Sequence, residues 1–205
     1  MQLLHSPLSP FGRKVLIAAS ELGLSDRISV VVTNPRADNA TLRPKNPLGK
    51  IPTLIPDDGQ SIIDSFVIVL YLQQLAKSHR LFPAEQSAQV EVMMHHAVAD
   101  GMVNATIIKM QNKTRHSEHQ GVPLDDVYMQ RQDMAINHAL DYCEQHLSAI
   151  GREPLHVAGL ALICSLGYLD LRFPDWGWRT GCPGLAAWYA TMLKRPAVAA
   201  TQPVA

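Results

Sequence analysis

The chain lacks the features of a secreted, membrane-spanning or nucleic-acid-binding protein. Its 18 basic and 18 acidic side chains leave a formal net charge of +0, so no basic excess favours nucleic acid or an anionic membrane surface. The longest apolar run, residues 157–164, is far shorter than the ~20 residues that span a bilayer. No basic start followed by an apolar stretch opens the chain, so we expect no signal peptide.

Cysteine is scarce, and its number does not suit a disulfide framework. Cys143, Cys164 and Cys182 are odd in number and widely spaced, which favours a reducing compartment. A hydrophobic fraction of 47% is ordinary for a folded soluble protein and argues against disorder. We therefore expect a globular cytoplasmic protein with no membrane or nucleic-acid partner.

The pattern of the chain changes near residue 80. Before this point, short β-branched runs near Gln2, Ile28, Thr53 and Ile62 alternate with helical spacing and with proline, which predicts a small α/β domain over residues 1–78. A linker is expected at about 79–86. Residues 87–205 then carry long helical patterns, which predict an all-α domain.

The helical half divides into four predicted segments. A long helix begins near Ser87, and a second helix follows Pro123. Residues 157–171 are almost wholly apolar, which predicts a central helix buried on all sides. A short last helix over residues 185–193 is expected to close at Pro196.

Three motifs in the first half carry the chemistry. They are Ser-Pro-Leu-Ser-Pro-Phe at 6–11, Asn-Pro-Leu-Gly-Lys-Ile-Pro-Thr-Leu at 46–54, and Asp-Ser at 64–65. In their order and spacing the sequence resembles the glutathione transferase family, especially serine-type members such as plant tau-type enzymes and bacterial proteins of similar length. The resemblance implies a thioredoxin-like N-terminal domain of order β-α-β-α-β-β-α and an all-α C-terminal domain.

The same resemblance implies an activity. The protein is expected to be a homodimeric enzyme of detoxification that conjugates the glutathione thiolate to hydrophobic electrophiles, with glutathione as co-substrate and no metal. Two alternatives stay open: a non-enzymatic stress or interaction protein with the same fold, and a glutathione-dependent isomerase or peroxidase. No cysteine lies near Ser9, which disfavours thiol-exchange chemistry.

Ser9 is the candidate catalytic residue, because the resemblance requires glutathione to be held as a thiolate. A thiol of pKa near 8.5 is only about 3% ionised at pH 7, and lowering that pKa by about two units takes roughly 2.7 kcal/mol. A donated hydroxyl supplies ~1.5–3 kcal/mol and a helix start about 0.3–1 kcal/mol. Two alternatives are that Ser9 is only a helix cap, and that Ser6 contacts the sulfur instead.

The motif at 46–54 is expected to bind the middle and the glycine end of glutathione. The resemblance implies a cis bond between Ile51 and Pro52, which turns the backbone of Ile51 toward the cysteinyl backbone as an added strand would. Lys50 would lie beside the glycine carboxylate. The alternative is an ordinary turn before a strand, with a solvated lysine.

Asp64 and Ser65 are expected at a helix start, where free backbone N–H groups favour an anion. By the resemblance, Ser65 suits the carboxylate of the γ-glutamyl group and Asp64 suits its ammonium. Glutamate is more common than aspartate at this position in the family. The alternative is a simple capping pair.

The electrophile pocket is expected between the two domains. The resemblance places Leu8 and Phe11 on one wall and the long helix near Met102, Ala105 and Lys109 on the other.

One histidine departs from the family pattern, and two others raise a metal hypothesis. His156 occupies the position where most members have the Ser or Thr of a capping box, and Gly159 stands where its carboxylate should be, so another interaction must cap this helix. His116 and His119 have a spacing compatible with a metal site on a helix, but they lie in a polar stretch for which an exposed loop is the expected structure.

Overall fold

The N-terminal region is built on a small mixed β-sheet. In the computed structural model, which describes residues 1–57, 59–118 and 125–203, the strands are β1 (Gln2–His5), β2 (Ser29–Val32) and β3 (Thr53–Ile55). The sheet order is β2-β1-β3, with β2 parallel and β3 antiparallel to β1. Leu3 in the central strand pairs with Val30 on one side and with Leu54 on the other.

The described part of this region also has three α-helices, α1 (Pro10–Glu21), α2 (Asn39–Leu42) and α3 (Ser65–Leu75), and a short 3-10 helix at Ser25–Arg27. The strand expected around Ile62 is instead a single bridge, in which Ile62 and Leu54 exchange backbone hydrogen bonds of 2.8 and 3.0 Å. The cap of α3 at Asp64 follows two residues later, so the chain turns into the helix before more pairs can form.

Among the residues described, every secondary-structure element of the C-terminal region is a helix. It contains α4 (Gln86–Glu118), α5 (Asp126–Gln145), α6 (Leu147–Ile150), α7 (Val157–Arg172), α8 (Trp178–Gly181), α9 (Pro183–Met192) and α10 (Pro196–Ala199). Pro196 was expected to end the last helix, but it begins α10, because proline at the first helical position has no N–H to leave unpaired. Pro123, which was expected to precede α5, lies outside the described residues.

Helix α7 is the centre of the helical region. Every residue from Val157 to Leu169 is buried, as its continuous apolar sequence predicts. Within the described ranges no single helix is long and apolar enough to cross a bilayer. Helix α7 reaches that length only together with Pro174–Gly181, across a bend of 100°.

The linker between the two regions is packed into the structure and supplies the missing cap of α7. Leu81 and Phe82 are buried, and the side chain of Gln73 accepts hydrogen bonds from both of their backbone N–H groups, at 2.8 and 2.7 Å. The Leu81 carbonyl in turn accepts a 3.0 Å hydrogen bond from Val157 N. His156 makes no side-chain cap, so this backbone contact satisfies one of the free N–H groups at the helix start.

Helix α1 connects the sheet to the helical region. It packs against α3, α7 and α10. Near its end, the Glu21 carboxylate pairs with Arg195 at 2.9 Å and also with Arg80. Arg195 makes a second ion pair, of 2.6 Å, with Glu153. These contacts fix the orientation of α1, whose other end begins at Ser9.

Glycine at position 12 of α1 is required by close packing against β1. A Cβ atom placed there would lie 2.0 Å from Nδ1 of the buried His5 ring, whereas a Cβ on Gly101 in α4 would meet nothing within 4 Å. We expect Gly12→Ala to lower the free energy of unfolding by about 1–3 kcal/mol. The matched change Gly101→Ala should raise it by about 0.5–1 kcal/mol through helix propensity. Urea denaturation measures both, and equal effects of the two changes would contradict this packing.

Candidate functional site

A cleft of about 430 Å³ lies where the sheet region meets α4. Its size is that of a typical small-ligand pocket. All five residues predicted to bind glutathione line it: Lys50, Ile51, Pro52, Asp64 and Ser65. The remaining lining residues are Phe11, Asn46, Leu48, Ile63, Asp100 and Asn104. The second and third motifs are therefore brought together in space.

The loop before β3 is held in shape by a buried asparagine. Asn46 donates through Nδ2 to the Lys50 carbonyl at 2.7 Å and accepts through Oδ1 from Leu48 N at 3.0 Å. The Thr53 hydroxyl donates to the same Lys50 carbonyl at 3.0 Å. The bond between Ile51 and Pro52 is cis, which confirms the prediction. The loop thus presents the backbone of Ile51 at the cleft in a fixed conformation.

Asp64 and Ser65 lie at the start of α3 and line the cleft. The Asp64 carboxylate caps the helix through Oδ1, which accepts from Phe66 N at 2.9 Å and from Val67 N at 3.2 Å. No described residue bonds its Oδ2. Ser65 is buried in the cleft wall, and its hydroxyl makes no hydrogen bond with any described residue. A charged oxygen and a hydroxyl are therefore left for a ligand.

A cluster of charged and polar side chains lies behind this part of the cleft. The Lys14 ammonium is 1% exposed and donates to Asp100 Oδ1 at 2.7 Å and to His96 Nε2 at 3.0 Å. Burial, assisted by the Lys14 charge, lowers the pKa of His96 to about 4. The neutral ring can therefore accept from Lys14.

Neither Lys14 nor Asp100 was predicted from the sequence as part of the site. One signal for Lys14 was available. It follows Phe11 by three residues and precedes Ala18 by four, so it falls on the apolar stripe of α1, where an unpaired ammonium would be costly. Such a lysine requires a partner from another element, and Asp100 on α4 supplies it.

Ser9 occupies the start of α1 but does not line the cleft. Its hydroxyl oxygen accepts from Gly12 N at 3.2 Å and so caps the helix, while its own proton remains free to donate. Ser9 and Leu8 line a separate narrow crevice, which shares no lining residue with the cleft. The Ser6 hydroxyl accepts from Leu8 N at 3.4 Å. Phe11, two residues after Ser9, lines the cleft, whereas Ser9 itself does not.

The α4 residues expected in the electrophile pocket are placed elsewhere. Met102 and Ala105 are buried and line neither the cleft nor the crevice. Asp100 and Asn104 line the cleft instead. They lie four residues apart on one face of α4, whereas Met102 is turned about 200° from Asp100 and packs into the core.

Lys109 likewise lies away from the cleft. Its ammonium pairs with Asp133 at 2.6 Å and lies 5.6 Å from the ring centres of Phe173 and Trp176. Of the predicted pocket residues, Phe11 lines the cleft and Leu8 lines the crevice.

The metal hypothesis for His116 and His119 has no structural test, since His119 lies outside the described residues. Among the residues that are described, no group of three or more His, Cys, Asp or Glu side chains is arranged to hold a metal ion.

Comparison with known proteins decides the family. Residues 3–80 match the N-terminal domain of glutathione S-transferases, and residues 126–191 match their C-terminal domain. YibF of Escherichia coli strain K12, described as an uncharacterized GST-like protein, is 30% identical over an alignment of 206 positions, which covers 99% of this chain and 98% of YibF. The chain belongs to the glutathione S-transferase family.

Solved structures of other glutathione S-transferases agree with this assignment. A family member from Pseudomonas fluorescens Pf-5 with bound glutathione is 35% identical, with a TM-score of 0.89 over 100% of this chain and 99% of the other. A structure from the same organism with bound S-(propanoic acid)-glutathione is 34% identical, with a TM-score of 0.85 over 100% of both chains. The fold is therefore that of a glutathione transferase, with a thioredoxin-like domain followed by a helical domain.

The depressed pKa of His96 predicts that the protein loses stability in acid. The unfolded chain, whose histidine titrates near 6.5, takes up the proton first, so the stabilisation is present above pH 6.5 and is lost as the pH falls toward 4. We expect the free energy of unfolding of the wild type to fall by about 3 kcal/mol more between pH 7 and pH 4 than that of His96→Gln, which keeps an acceptor for Lys14.

Urea denaturation at a series of pH values measures this difference. His138→Gln, at an exposed position of α5, is the matched control and should leave the wild-type profile unchanged. Parallel profiles for the wild type and His96→Gln would contradict the assignment.

Proposed function

We propose that this protein is a glutathione transferase enzyme that binds glutathione in the cleft and conjugates its thiolate to hydrophobic electrophiles. The observation that carries the proposal is the meeting of Lys50, the cis Ile51–Pro52 bond, Asp64 and Ser65 in one cleft. These groups offer a cation, an extended backbone edge, an anion and a hydroxyl. Glutathione carries the matching glycine carboxylate, cysteinyl backbone, ammonium and γ-glutamyl carboxylate.

Each end of the tripeptide has a complementary partner in this proposal. The exposed Lys50 ammonium lies beside the glycine carboxylate. The N–H and C=O of Ile51 pair with the cysteinyl backbone. The γ-glutamyl carboxylate binds the Ser65 hydroxyl at the start of α3, where the helix dipole favours an anion, and Asp64 accepts from the ammonium. The glutathione-bound relative from P. fluorescens supports this choice of ligand.

A substitution at Asp64 separates ligand binding from helix capping. Asn caps a helix about as well as Asp, so Asp64→Asn keeps the bonds to Phe66 N and Val67 N while removing the negative charge. We expect glutathione affinity to fall about 10- to 100-fold, because a charge-assisted bond contributes ~1.5–3 kcal/mol. Calorimetric titration measures the affinity, and thermal melting verifies that stability is retained. Unchanged affinity would remove Asp64 from the site.

Ser9 is proposed as the residue that stabilises the thiolate, which makes the enzyme a serine-type transferase. Its hydroxyl accepts from Gly12 N and keeps its own proton for the sulfur, and it stands at the positive end of α1. Phe11, two residues after Ser9, lines the cleft, so in this proposal the sulfur lies at that end of the cleft. Ser6 is the alternative donor.

We expect Ser9→Ala to raise the pKa of bound glutathione by one to two units and to lower kcat/KM about 10- to 100-fold. Thiolate absorbance followed against pH measures the first effect, and an aryl halide assay measures the second. Ser9→Thr keeps a hydroxyl and should restore much of both. Ser6→Ala is the matched control. A raised pKa in Ser6→Ala with no change in Ser9→Ala would transfer the role to Ser6.

One observation on a relative favours conjugation over glutathione-dependent isomerisation or peroxide reduction. The P. fluorescens protein binds S-(propanoic acid)-glutathione, a glutathione S-conjugate, which is the type of product that conjugation forms. Peroxide reduction would end in a disulfide instead. A pure interaction protein would not need a serine, a cis-proline loop and an acidic cap arranged for one tripeptide. A detoxification role follows from conjugation.

We also propose that the protein forms a homodimer. Val67 on α3 and Val90 and Met94 on α4 are large apolar side chains that are 45%, 62% and 51% exposed, and a second copy would cover them. Sedimentation equilibrium measures the assembly.

The cytoplasmic location in this proposal is supported by the cysteines. All three are free and buried, which suits a reducing compartment.

A further inference from the structure

The last residue of β1 packs against the first turn of α1. His5 is 5% exposed, and its carbonyl accepts a 2.8 Å hydrogen bond from Thr33 N, which fixes its backbone in the sheet. The preceding residue, Leu4, pairs with Thr53 of β3. Because β3 directly follows the cis Ile51–Pro52 bond, the backbone that is proposed to bind the cysteinyl unit is tied to the same end of β1 as His5.

The His5 ring fills the space that a side chain at position 12 would occupy. A Cβ atom on Gly12 would lie 2.0 Å from Nδ1, 2.8 Å from Cε1 and 3.0 Å from Cγ of that ring. Gly12 lies inside α1, so a left-handed backbone does not explain the glycine, whereas this close approach does. The ring therefore limits how closely the first turn of α1 approaches the sheet.

Gly12 connects this contact to the serine that is proposed to stabilise the thiolate. Its N–H donates to the Ser9 hydroxyl oxygen at 3.2 Å, and no other described residue bonds that hydroxyl. The bond orients the oxygen and leaves the hydroxyl proton for a ligand. The contact of His5 with Gly12 thus lies between the two groups that would meet the cysteinyl unit of glutathione, the Ser9 hydroxyl on α1 and the backbone of Ile51 beside the sheet.

This contact uses the shape of the His5 ring and not its polar atoms. No hydrogen bond or ion pair joins the ring to any described residue, and its Nδ1 is buried without a partner among them. Burial lowers the pKa of His5 to about 4, so the ring is neutral near pH 7. A phenyl ring would make the same contact without leaving a polar atom unpaired.

We propose that His5 is a positioning residue for thiolate stabilisation, which acts through Gly12 to hold the Ser9 hydroxyl in line with the glutathione sulfur. This inference rests on the proposed function. A hydroxyl stabilises a thiolate only over a narrow range of distance and angle, so a small displacement of the first turn of α1 weakens the bond to sulfur. The rest of the tripeptide would still bind in the cleft. The expected result is a change in the pKa of bound glutathione without a matching change in affinity for an S-alkyl glutathione.

The test is a double-mutant cycle of Gly12→Ala and His5→Ala in the full chain, with His5→Phe as the conservative variant. Val15→Ala is the matched control, because it removes buried volume from the same helix and leaves the contact of His5 with Gly12 in place. Thiolate absorbance followed against pH measures the pKa of bound glutathione. Calorimetric titration of S-methylglutathione measures binding without a thiol, and urea denaturation measures the stability of each variant.

We expect Gly12→Ala to raise the pKa of bound glutathione by about one unit and to lower kcat about three- to tenfold, with affinity for S-methylglutathione within about twofold. His5→Ala alone should raise that pKa by about half a unit, because α1 loses its support. The double variant should return toward the wild-type pKa, because the added methyl group takes part of the space that the ring leaves. His5→Phe and Val15→Ala should keep the wild-type pKa, although Val15→Ala lowers the free energy of unfolding.

Three results would overturn the inference. The first is a wild-type pKa in Gly12→Ala, the second is a double variant whose pKa stays as high as that of Gly12→Ala, and the third is an equal rise in Val15→Ala. If Gly12→Ala does not fold, the comparison of His5→Ala with His5→Phe decides. A higher pKa in His5→Ala alone supports the inference, and equal values in both variants overturn it.

Failure of the proposed function gives a different result. A wild type that binds neither glutathione nor S-methylglutathione would overturn the proposed function and this inference together. If glutathione binds but Ser9→Ala leaves its pKa unchanged, the assignment of Ser9 fails, and the role of His5 fails with it. If Ser9→Ala raises the pKa and the changes at His5 and Gly12 do not, the inference alone is overturned.

Discussion

The ion pair between Lys14 and Asp100 joins the two domains at the floor of the cleft. Both charges come from helices, α1 and α4, and the ammonium is almost wholly removed from solvent. A buried charge without a partner is expensive, so the almost wholly buried Lys14 ammonium requires Asp100 in place, and loss of Asp100 would cost about 3–5 kcal/mol. Because Asp100 also lines the cleft, this contact ties α1 to the α4 wall of the cleft.

The same helix carries the other features that the site requires. Ser9 caps α1, Arg13 donates to the Val198 carbonyl in α10, Lys14 pairs with Asp100 in α4, and Glu21 pairs with Arg195. A helix fixed at several points along its length holds its first turn in a constant position relative to both walls of the ligand space. This rigidity matters because a hydroxyl stabilises a thiolate only at hydrogen-bond distance and in good alignment.

Local sequence patterns predicted the elements that local forces determine. The cap at Ser9, the cap at Asp64 and the buried helix α7 follow from capping chemistry and apolar spacing. The cis bond before Pro52 was predicted from family resemblance rather than from spacing.

Local sequence patterns could not predict contacts between residues that are far apart in the chain. Lys14 and Asp100 are 86 positions apart, and the local sequence around either residue does not indicate that the other is its partner. The face of α4 that meets the cleft was misplaced for the same reason. Its apolar positions are spread widely around the helix, because α4 packs against α5 and α7 while also facing the cleft, so periodicity alone did not separate Met102 from Asp100.

The central claim is that the cleft binds glutathione and holds it as a thiolate. Calorimetric titration at pH 7 in two buffers of different ionisation enthalpy measures the protons released on binding. If the bound thiol has a pKa about two units below that of free glutathione, each glutathione should release about 0.7 proton, while S-methylglutathione, which has no thiol, should bind and release none. Binding of glutathione with no more proton release than S-methylglutathione would contradict the account.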